Sequence, residues 1–204
     1  MIKRTSITFI NNILEKNPNW KVLDIGCGYR AHSKASVIAD TQDFSNFYKQ
    51  RKFIQIKNKN LPFEDKEFDF VIASHVIEHV ADFEFFIKEL ERITSKGYIE
   101  LPSRLGDNLV FENKKDHIWW FCFDDVKKSL IVSKKNQLIE PFITVATAKL
   151  FETIFRESFV IEIMWEEKID YNIDNSIKNE NVEKTSFLKL IKKYFSKRVR
   201  TFYK

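Results

Sequence analysis

The sequence contains few of the features that mark disulfide-stabilised or membrane-spanning proteins. Its 204 residues include two cysteines, Cys27 and Cys122, which are too few for a disulfide framework and lack the spacing of a zinc knuckle. No apolar run approaches the roughly 18 residues of a membrane span. The first twenty residues interrupt their apolar stretch with Asn11, Asn12 and Glu15, unlike a secretory signal. We therefore expect a cytoplasmic protein with free thiols.

An excess of positive charge is also missing from most of the chain. The sequence has 34 Lys and Arg residues against 29 Asp and Glu residues, a net charge of +5. Eight of the basic residues and no acidic residue follow from position 184, which leaves 26 basic and 29 acidic groups before it, a net −3. The body of the chain therefore gives no indication of a nucleic-acid surface.

Short apolar runs alternate with helical patterns along the first half of the chain. Runs at 21–25, 36–39, 53–56, 68–73 and 98–101 are typical of buried parallel strands. A helix is predicted over 6–16, capped by Ser6, and another over 83–93, capped by Asp82. A strand, a helix and a strand in this order predict a right-handed parallel crossover, and therefore an α/β fold.

The pattern changes after Pro102. Residues 103–117 are polar and loop-like, whereas 118–123 and 129–133 can pair as a hairpin. We expect 103 to about 141 to form an insertion over the site, followed by a helix over 145–155 and a closing strand over 159–165. The predicted domain covers residues 1–171, a polar linker 172–183, and a basic tail 184–204.

A glycine turn directly follows the first predicted strand. Half of the four glycines lie in Gly26-Cys27-Gly28, where the missing side chains let a ligand approach the backbone. Asp24, just before the turn, can accept hydrogen bonds from the turn amides or contact a ligand ammonium group. Asp40 ends the second strand, where a carboxylate can accept both hydroxyls of a ribose.

The order of these motifs resembles class I S-adenosylmethionine-dependent methyltransferases of the broad small-molecule type (methyltransferase type 11-like). The resemblance covers about residues 20–102, although Arg30 stands where the family has a third glycine. It rests on Asp24-Ile25-Gly26-Cys27-Gly28, Asp40, Leu61-Pro62-Phe63, Phe68-Asp69-Phe70-Val71 and Glu78-His79.

This resemblance implies a doubly wound Rossmann-like fold with a mostly parallel sheet and helices on both faces, and the residue pattern adds an insertion after the fifth strand and a basic C-terminal helix. It implies S-adenosylmethionine as cofactor and methyl transfer to oxygen of a small-molecule or glycan acceptor. Because the connection from Gly28 to Asp40 is short, the first crossover helix must be truncated. The cofactor-binding prediction comprises Asp24, Gly26, Cys27, Gly28, Asp40, Asn58 and Ser74, with Asn58 at the adenine edge.

Two histidines are candidates for the chemistry. His75 follows the fourth predicted strand, beside the position expected for the sulfonium methyl, and is our first candidate for a base or an acceptor-orienting group. His117 is the second candidate. Trp119 and Trp120, which follow it, could form a stacking platform for an acceptor or the core of the hairpin. In-line methyl transfer requires alignment and exclusion of water, so no metal is predicted.

Two other classes of function remain open. His75-Val76-Ile77-Glu78-His79 matches the inverted zinc-protease pattern, which would make the chain a zinc hydrolase. That pattern needs a continuous helix and a third ligand, whereas His75 follows a predicted strand. The chain could also be a non-catalytic binding protein that retains only the S-adenosylmethionine-binding fold.

The tail from 184 to 204 is predicted to be a basic amphipathic helix. Such a helix can lie in the anionic inner surface of a membrane, or it can pack its apolar face on the domain. In the first case a lipid-linked or cell-surface glycan becomes an attractive acceptor. One face carries Phe187, Leu190, Ile191, Tyr194 and Phe195, and the lysines lie elsewhere.

Overall fold

The computed structural model describes residues 1–175 and 184–202. Its strands are β1 (Ile2–Arg4), β2 (Val22–Ile25), β3 (Val37–Asp40), β4 (Lys52–Gln55), β5 (Phe70–Ser74), β6 (Lys96–Pro102), β7 (Trp119–Asp124), β8 (Ser129–Lys134), β9 (Val160–Glu166) and β10 (Tyr171–Ile173). Its helices are α1 (Ile7–Lys16), α2 (Phe83–Ile93), α3 (Arg104–Leu109), α4 (Asn113–Asp116), α5 (Val145–Phe159) and α6 (Phe187–Phe202), with a 3-10 turn at Ile77–His79.

Seven strands form the central sheet, in the order β1-β9-β6-β5-β2-β3-β4. The five strands from β6 to β4 pair in parallel, while β9 is antiparallel to β6 and β1 is antiparallel to β9. All four residues of β2 are buried, as expected for a strand in the middle of a sheet that is covered on both faces. The mostly parallel α/β sheet predicted from the sequence is confirmed.

Helices cover both faces of this sheet, as predicted. Helix α1 begins after Ser6, whose side chain accepts a hydrogen bond from Phe9 N, and buries Ile10 and Leu14 against one face. Helix α2 begins after Asp82 and packs against the other face. Residues 26–36, between β2 and β3, contain no helix, which agrees with the truncated crossover expected there.

A second, three-stranded sheet lies over α2, with the strand order β10-β8-β7. The predicted hairpin is confirmed as β7 and β8, which pair antiparallel. Phe83 of α2 lies with its ring centroid 6.0 Å from the rings of both Trp119 and Phe121 and 5.0 Å from that of Tyr171. These aromatic contacts join the hairpin to the main hydrophobic core.

Our prediction of a loop over 103–117 is wrong, because this segment forms α3 and α4. Ser103 caps α3 by accepting a hydrogen bond from Gly106 N at 3.1 Å. A Cβ on Gly106 would lie 2.9 Å from the carbonyl oxygen of Phe159 on α5, so the helix packs closely there. Asp107 and Asn108 are buried in α3, although their polarity suggested a loop.

The predicted linker 172–183 begins too early. Tyr171–Ile173 is strand β10, which pairs in parallel with β8; residues 176–183 lie outside the described residues. A strand of three residues at a sheet edge carries too short a pattern to be detected from sequence, and the same holds for β1.

Helix α6 confirms that the tail is helical and amphipathic. Glu140 N donates to the carbonyl oxygen of Thr185, and the ring of Phe187 stacks on Phe142 with 5.8 Å between centroids. Further along, Tyr194 and Phe195 are 55% and 59% exposed. Residues 203–204 of the predicted tail lie outside the described residues. Among the described residues, no helix is both long and apolar enough to cross a membrane.

Candidate active site

A cleft of about 900 Å³ opens at the carboxyl ends of β2, β3, β4 and β5. In parallel α/β sheets this edge is where ligands bind, because the connections that follow the strands converge there. The wall combines backbone, polar groups and apolar side chains: Ile25, Gly26, Asp40, Thr41, Gln42, Ile56, Asn58, Lys59, Leu61, His75, Val76, His79, Val80, Ala81, Asp82, Phe85, Phe86 and Asp116.

Hydrogen bonds hold the glycine turn against the end of β3. Gly26 N and Cys27 N donate to the carbonyl oxygen of Ala39 at 2.7 and 3.2 Å, and Gly28 N donates to Asp40 Oδ2 at 3.0 Å. Gly26 has a φ of +71°, and a Cβ there would lie 2.2 Å from Val76 Cγ2. Only glycine meets both conditions at position 26.

The two glycines therefore have different roles. Gly26 exposes its backbone to the cleft, whereas Gly28 does not line the cleft. Gly28 has a φ of +47°, and a Cβ added there would have no atom within 4 Å. Cys27 packs in the core beneath α1, and burial raises the pKa of its thiol to about 12. Of the predicted turn residues, only Gly26 forms part of the cleft wall.

Asp40 lies where the sequence predicted a ribose-binding carboxylate. Its Oδ2 accepts the Gly28 amide, and its Oδ1 accepts the Gln42 amide at 3.0 Å and the Thr41 hydroxyl at 3.4 Å. A carboxylate has about four acceptor positions, so Oδ2 retains one for a ligand hydroxyl, and a second hydroxyl can displace the long Thr41 contact. The cleft, the bare backbone at Gly26 and this carboxylate fit an adenosyl cofactor.

Asp24 lies beneath the turn and is not part of the cleft wall. Its Oδ2 accepts the backbone amide of His32 at 2.6 Å, which lies in the loop after the glycine turn and is not one of the turn amides that the sequence predicted as donors. Asp24 pairs with Ile38, two residues before Asp40, and the two carboxylates therefore lie on the same face of the sheet. Burial, together with the charge of Asp40, raises the pKa of Asp24 to about 6.

The remaining two predicted cofactor residues differ in position. Asn58 lines the cleft, but Ser74 does not. The apolar part of the wall was not anticipated: it includes Ile56, Leu61 and Phe85. Ile56 could have been found, because it directly follows β4 at the same sheet edge.

His75 lies at the end of β5 with a φ of +54°. Its Nδ1 is 3.2 Å from Glu78 Oε1, and its Nε2 is 3.1 Å from Glu100 Oε1. Burial lowers the pKa of His75, but the two carboxylates outweigh it and raise the pKa well above its ordinary value. An imidazolium has no lone pair. The geometry therefore disagrees with our prediction of His75 as a general base, although its ring does line the cleft.

A buried polar network holds Glu100 in place. Glu100 Oε2 lies 2.6 Å from both Tyr98 Oη and Arg156 Nη2. Arg156 also donates from Nε to Glu162 Oε2 at 2.8 Å. Burial raises the pKa of Glu100, but His75, Tyr98 and Arg156 together outweigh it and lower the pKa to about 2. Because β6, α5 and β9 supply the network, no local pattern in the sequence revealed it.

His117 precedes β7 and contacts a buried carboxylate. Its Nδ1 lies 2.5 Å from Asp107 Oδ1, and Asp107 Oδ2 accepts Trp120 Nε1 at 2.7 Å and contacts Lys135 Nζ at 2.8 Å. Trp119 donates from Nε1 to the carbonyl oxygen of Val80 at 2.8 Å. Both tryptophans are buried; they form the hairpin core and do not provide an exposed platform.

A smaller cavity of about 270 Å³ adjoins the cleft. His75 lines both, and His117 lines the smaller one together with Gly106, Asn113 and Ala148. The structure therefore brings the two predicted catalytic histidines to the boundary of one compartment.

The zinc-hydrolase pattern is contradicted by the local backbone. Ile77–His79 is a 3-10 turn of three residues, and His75 lies before it at a strand end. Both ring nitrogens of His75 already contact carboxylate oxygens, of Glu78 and of Glu100. His75 and His79 therefore do not form a pair on one face of a continuous helix.

A doubly wound sheet with a carboxylate-bearing cleft at its carboxyl edge is typical of domains that bind a nucleotide-like cofactor. Residues 23–99 match the family model described as methyltransferase domain. A ubiquinone biosynthesis O-methyltransferase from Pelagibacter ubique (strain HTCC1062) is 30% identical over an alignment of 106 positions, with coverages of 45% of this chain and 44% of that protein. The chain thus spans less than half the length of this relative.

Two similar solved structures have low sequence identity and TM-scores below 0.5. A protein from Pyrococcus horikoshii OT3 is 16% identical, with 79% of this chain and 89% of that chain covered and a TM-score of 0.45. An S-adenosylmethionine-dependent methyltransferase from Thermotoga maritima, described as a possible histamine N-methyltransferase, is 15% identical, with 77% and 86% covered and a TM-score of 0.45. Neither likeness bears on the acceptor.

The family match agrees with the cleft geometry. Residues 23–99, which contain the glycine turn, Asp40 and His75, are thus similar to a methyltransferase domain.

Proposed function

We propose that this protein transfers a methyl group from S-adenosylmethionine to a hydroxyl oxygen of a small molecule held in the smaller cavity. The observation that carries the proposal is the shared wall at His75, which separates the cofactor cleft from a second cavity large enough for part of a small ligand. The O-methyltransferase relative supports oxygen as the acceptor atom, because its name specifies that chemistry.

The cofactor supplies an already activated methyl group, so the residues of the chain chiefly align the two ligands and exclude water. Asp40 accepts the ribose hydroxyls, and Asn58 with Ile56 contacts the adenine. His75, fixed by Glu78 and Glu100, shapes the passage between the two cavities. Methyl transfer forms a carbon–oxygen bond and breaks the sulfur–carbon bond, and the acceptor loses one proton.

The acceptor hydroxyl loses its proton beside His79 and His117. Each ring has its Nδ1 on an oxygen atom, and no described residue makes a hydrogen bond to either Nε2. A free lone pair at this position either takes the proton directly or binds a cation that lowers the pKa of the hydroxyl. The buried carboxylate of Glu78, next to both rings, favours the cation.

Calorimetry with S-adenosylmethionine and S-adenosylhomocysteine tests the first half of the proposal, and methyl transfer from radiolabelled cofactor to a panel of phenols, catechols and sugars tests the second. We expect both ligands to bind and at least one hydroxyl compound to be labelled. A protein that binds the cofactor but labels no hydroxyl acceptor would favour the non-catalytic alternative. A protein that binds neither ligand would overturn the proposal.

We also propose that α6 contacts an anionic membrane surface, on the cytoplasmic side. Leu188, Tyr194 and Phe195 are exposed, and Lys192 and Lys193 are exposed on the same helix. A basic amphipathic helix of this kind binds at the interface through apolar burial and through attraction to anionic lipids. A lipid-linked glycan would then be one acceptor that membrane contact brings to the site.

Co-sedimentation with vesicles tests this contact. We expect binding to vesicles that contain phosphatidylglycerol, weaker binding at high salt, and loss of binding in the Tyr194→Ser, Phe195→Ser double variant. The matched control is the double variant Leu150→Ser, Ile154→Ser, which changes exposed apolar residues on α5. Equal sedimentation of both double variants with the vesicles would contradict the contact.

A further inference from the structure

Three potential metal ligands meet at the boundary between the cleft and the smaller cavity. One ligand atom each from Glu78, His79 and His117 lies within 4.8 Å of the other two. Glu78 and His79 belong to the 3-10 turn after β5, and His117 precedes β7. The hydrogen bond from Ile118 N to the carbonyl oxygen of Glu78, at 2.7 Å, holds the two segments together.

The two histidines are oriented as metal ligands are. His117 Nδ1 is on the Asp107 carboxylate, and His79 Nδ1 is 3.0 Å from the carbonyl oxygen of Asp116. An acceptor at Nδ1 places the ring proton there and leaves the lone pair of the neutral ring on Nε2. Both rings can therefore present Nε2 to a common point, and their centroids are 4.5 Å apart.

Glu78 provides a second, independent observation. Its side chain is fully buried, and its Oε1 is occupied by His75. Its Oε2 is also buried, and it has no hydrogen-bond partner among the described residues. A buried carboxylate oxygen without a partner is costly and uncommon in folded proteins. A cation bound at Oε2 would remove that cost.

We propose that Glu78, His79 and His117 bind a divalent first-row transition cation. Two imidazoles and one carboxylate form a common ligand set for Zn²⁺ and for Fe²⁺-type sites, and they leave coordination positions open. A metal about 2.1 Å from each ligand atom needs those atoms to lie within about 4.2 Å of one another. The exposed ring of His79 supplies the small closing movement, and it also borders the cleft through which the ion enters.

His117 also lines the smaller cavity assigned to the acceptor, so a hydroxyl group held there would lie beside the cation; this part of the inference rests on the proposed function. A hydroxyl oxygen bound there would have a lowered pKa and release its proton to solvent near neutral pH. That oxygen then attacks the methyl carbon, and the electron pair of the broken sulfur–carbon bond stays on sulfur. We therefore expect the acceptor to be a compound with a hydroxyl group that reaches the cation from the smaller cavity.

Metal titration of untagged protein, stripped with EDTA, tests the site without any need for activity. Zn²⁺ and Mn²⁺ are titrated by calorimetry, and the metal content is measured after gel filtration. We expect one equivalent per chain. His79→Gln and His117→Gln should each weaken binding at least tenfold, since loss of even an outer-shell partner costs about 10–100-fold. His32→Gln is the matched control, because the His32 ring contacts Asn11, away from the site.

Several outcomes would overturn the inference. They are no metal uptake by the wild-type chain, uptake that is unchanged in both the His79→Gln and the His117→Gln variant, or an equal loss in His32→Gln. Because His79 is exposed, its substitution should leave the fold intact, which near-ultraviolet circular dichroism checks. Titration of S-adenosylhomocysteine into the same samples separates the two proposals: cofactor binding without metal uptake contradicts only the cation site, and metal uptake without cofactor binding contradicts only the proposed function.

Discussion

The cleft assigned to the cofactor (the cofactor side) and the smaller cavity with the side chains around His117, assigned to the acceptor (the acceptor side), are built in different ways. On the cofactor side, the glycine turn and Asp40 follow consecutive strands, and their backbone and side chains contact each other directly. On the acceptor side, Glu78, His117 and Asp107 come from three separate segments. The cofactor side depends on the order of strands in the central sheet. The acceptor side depends on how the small sheet and α3 pack on the central sheet.

The difference also concerns charge. The cofactor side has a carboxylate in contact with backbone amides, whereas the acceptor side has buried carboxylates that depend on particular cationic or imidazole partners. A backbone amide is available at almost any strand end, but a buried partner must be supplied by one specific residue. We therefore expect substitutions on the acceptor side to have the larger effects on stability.

The largest effect is expected at Asp107. Asp107→Asn removes the charge that pairs with Lys135 and His117, both nearly buried. The stability lost should be about 3–5 kcal/mol in urea unfolding, as for other buried pairs that lose one partner. Asp125→Asn, which breaks the exposed pair with Arg4, should change stability little. Equal losses in the two variants would contradict the expected difference between buried and exposed carboxylates.

The same variant has a defined pH dependence. Burial raises the pKa of Asp107, but His117 and Lys135 outweigh it, so the pKa in the folded protein is below the ordinary value. The stabilisation by this carboxylate is therefore present above the unfolded pKa of about 3.8 and is lost as the pH falls through the folded value. The difference between wild type and Asp107→Asn should shrink in acid.

Within the cofactor side, the two glycines should differ. Gly26→Ala forces a side chain into Val76 at a positive φ and should cost about 2–4 kcal/mol, from left-handed strain and overpacking together. Gly28→Ala meets open space and should cost only about 1–2 kcal/mol for its backbone conformation. Thermal unfolding followed by circular dichroism measures both. An equal loss would show that the contact with Val76 does not limit this turn.

The Asp40→Asn variant should weaken binding on the cofactor side and leave metal uptake on the acceptor side unchanged. The variant keeps one acceptor oxygen but loses the charge, and a hydrogen bond to a charged group contributes about 1.5–3 kcal/mol. Calorimetry should show S-adenosylhomocysteine binding weakened by about 10–100-fold. Metal uptake by the same variant should be unchanged, because Asp40 does not belong to the cation site. Unchanged cofactor affinity would remove Asp40 from the binding site.

The smallest effect is expected at Asp24, and it is a gain. Since the pKa of Asp24 is raised to about 6, its contribution to stability is present below the ordinary value and is lost as the pH rises through about 6. Asp24→Asn cannot ionise and keeps an oxygen for the His32 amide. Urea unfolding should show the variant more stable by about 1–2 kcal/mol at roughly pH 8 and not at roughly pH 4. A gain that is independent of pH would contradict the burial of a charge.

Part of the cofactor side could be predicted because the relevant signals are local: Gly26, Asp40 and Asn58 line the cleft, whereas the other four predicted residues do not. The cap at Asp82, the apolar spacing of α2 and the glycine turn each depend on residues a few positions apart, and the structure reproduces them. A position at a strand end was also informative, since parallel strands bring their carboxyl ends to one edge. Ser74 shows the limit of this argument, because a strand end alone does not make a residue part of the cleft.

The acceptor side could not be predicted in the same way. Asp107 and Asn108 have the polarity of loop residues, yet they are buried because each bonds to groups far along the chain; Asn108 Oδ1, for instance, accepts the Leu138 amide at 2.9 Å. The contact between His117 and His79 joins residues 38 positions apart. His75 was recognised as a site residue, but its two carboxylate partners change its expected role.

One side chain, His75, belongs to the walls of both cavities. A ligand that displaces this ring from one side alters the surface offered to a ligand on the other side. Thermodynamic linkage then requires that the cofactor change the affinity for the acceptor by the same factor as the acceptor changes the affinity for the cofactor. On the proposed function, the cofactor and the acceptor should therefore bind cooperatively, with the His75 ring coupling their two sites.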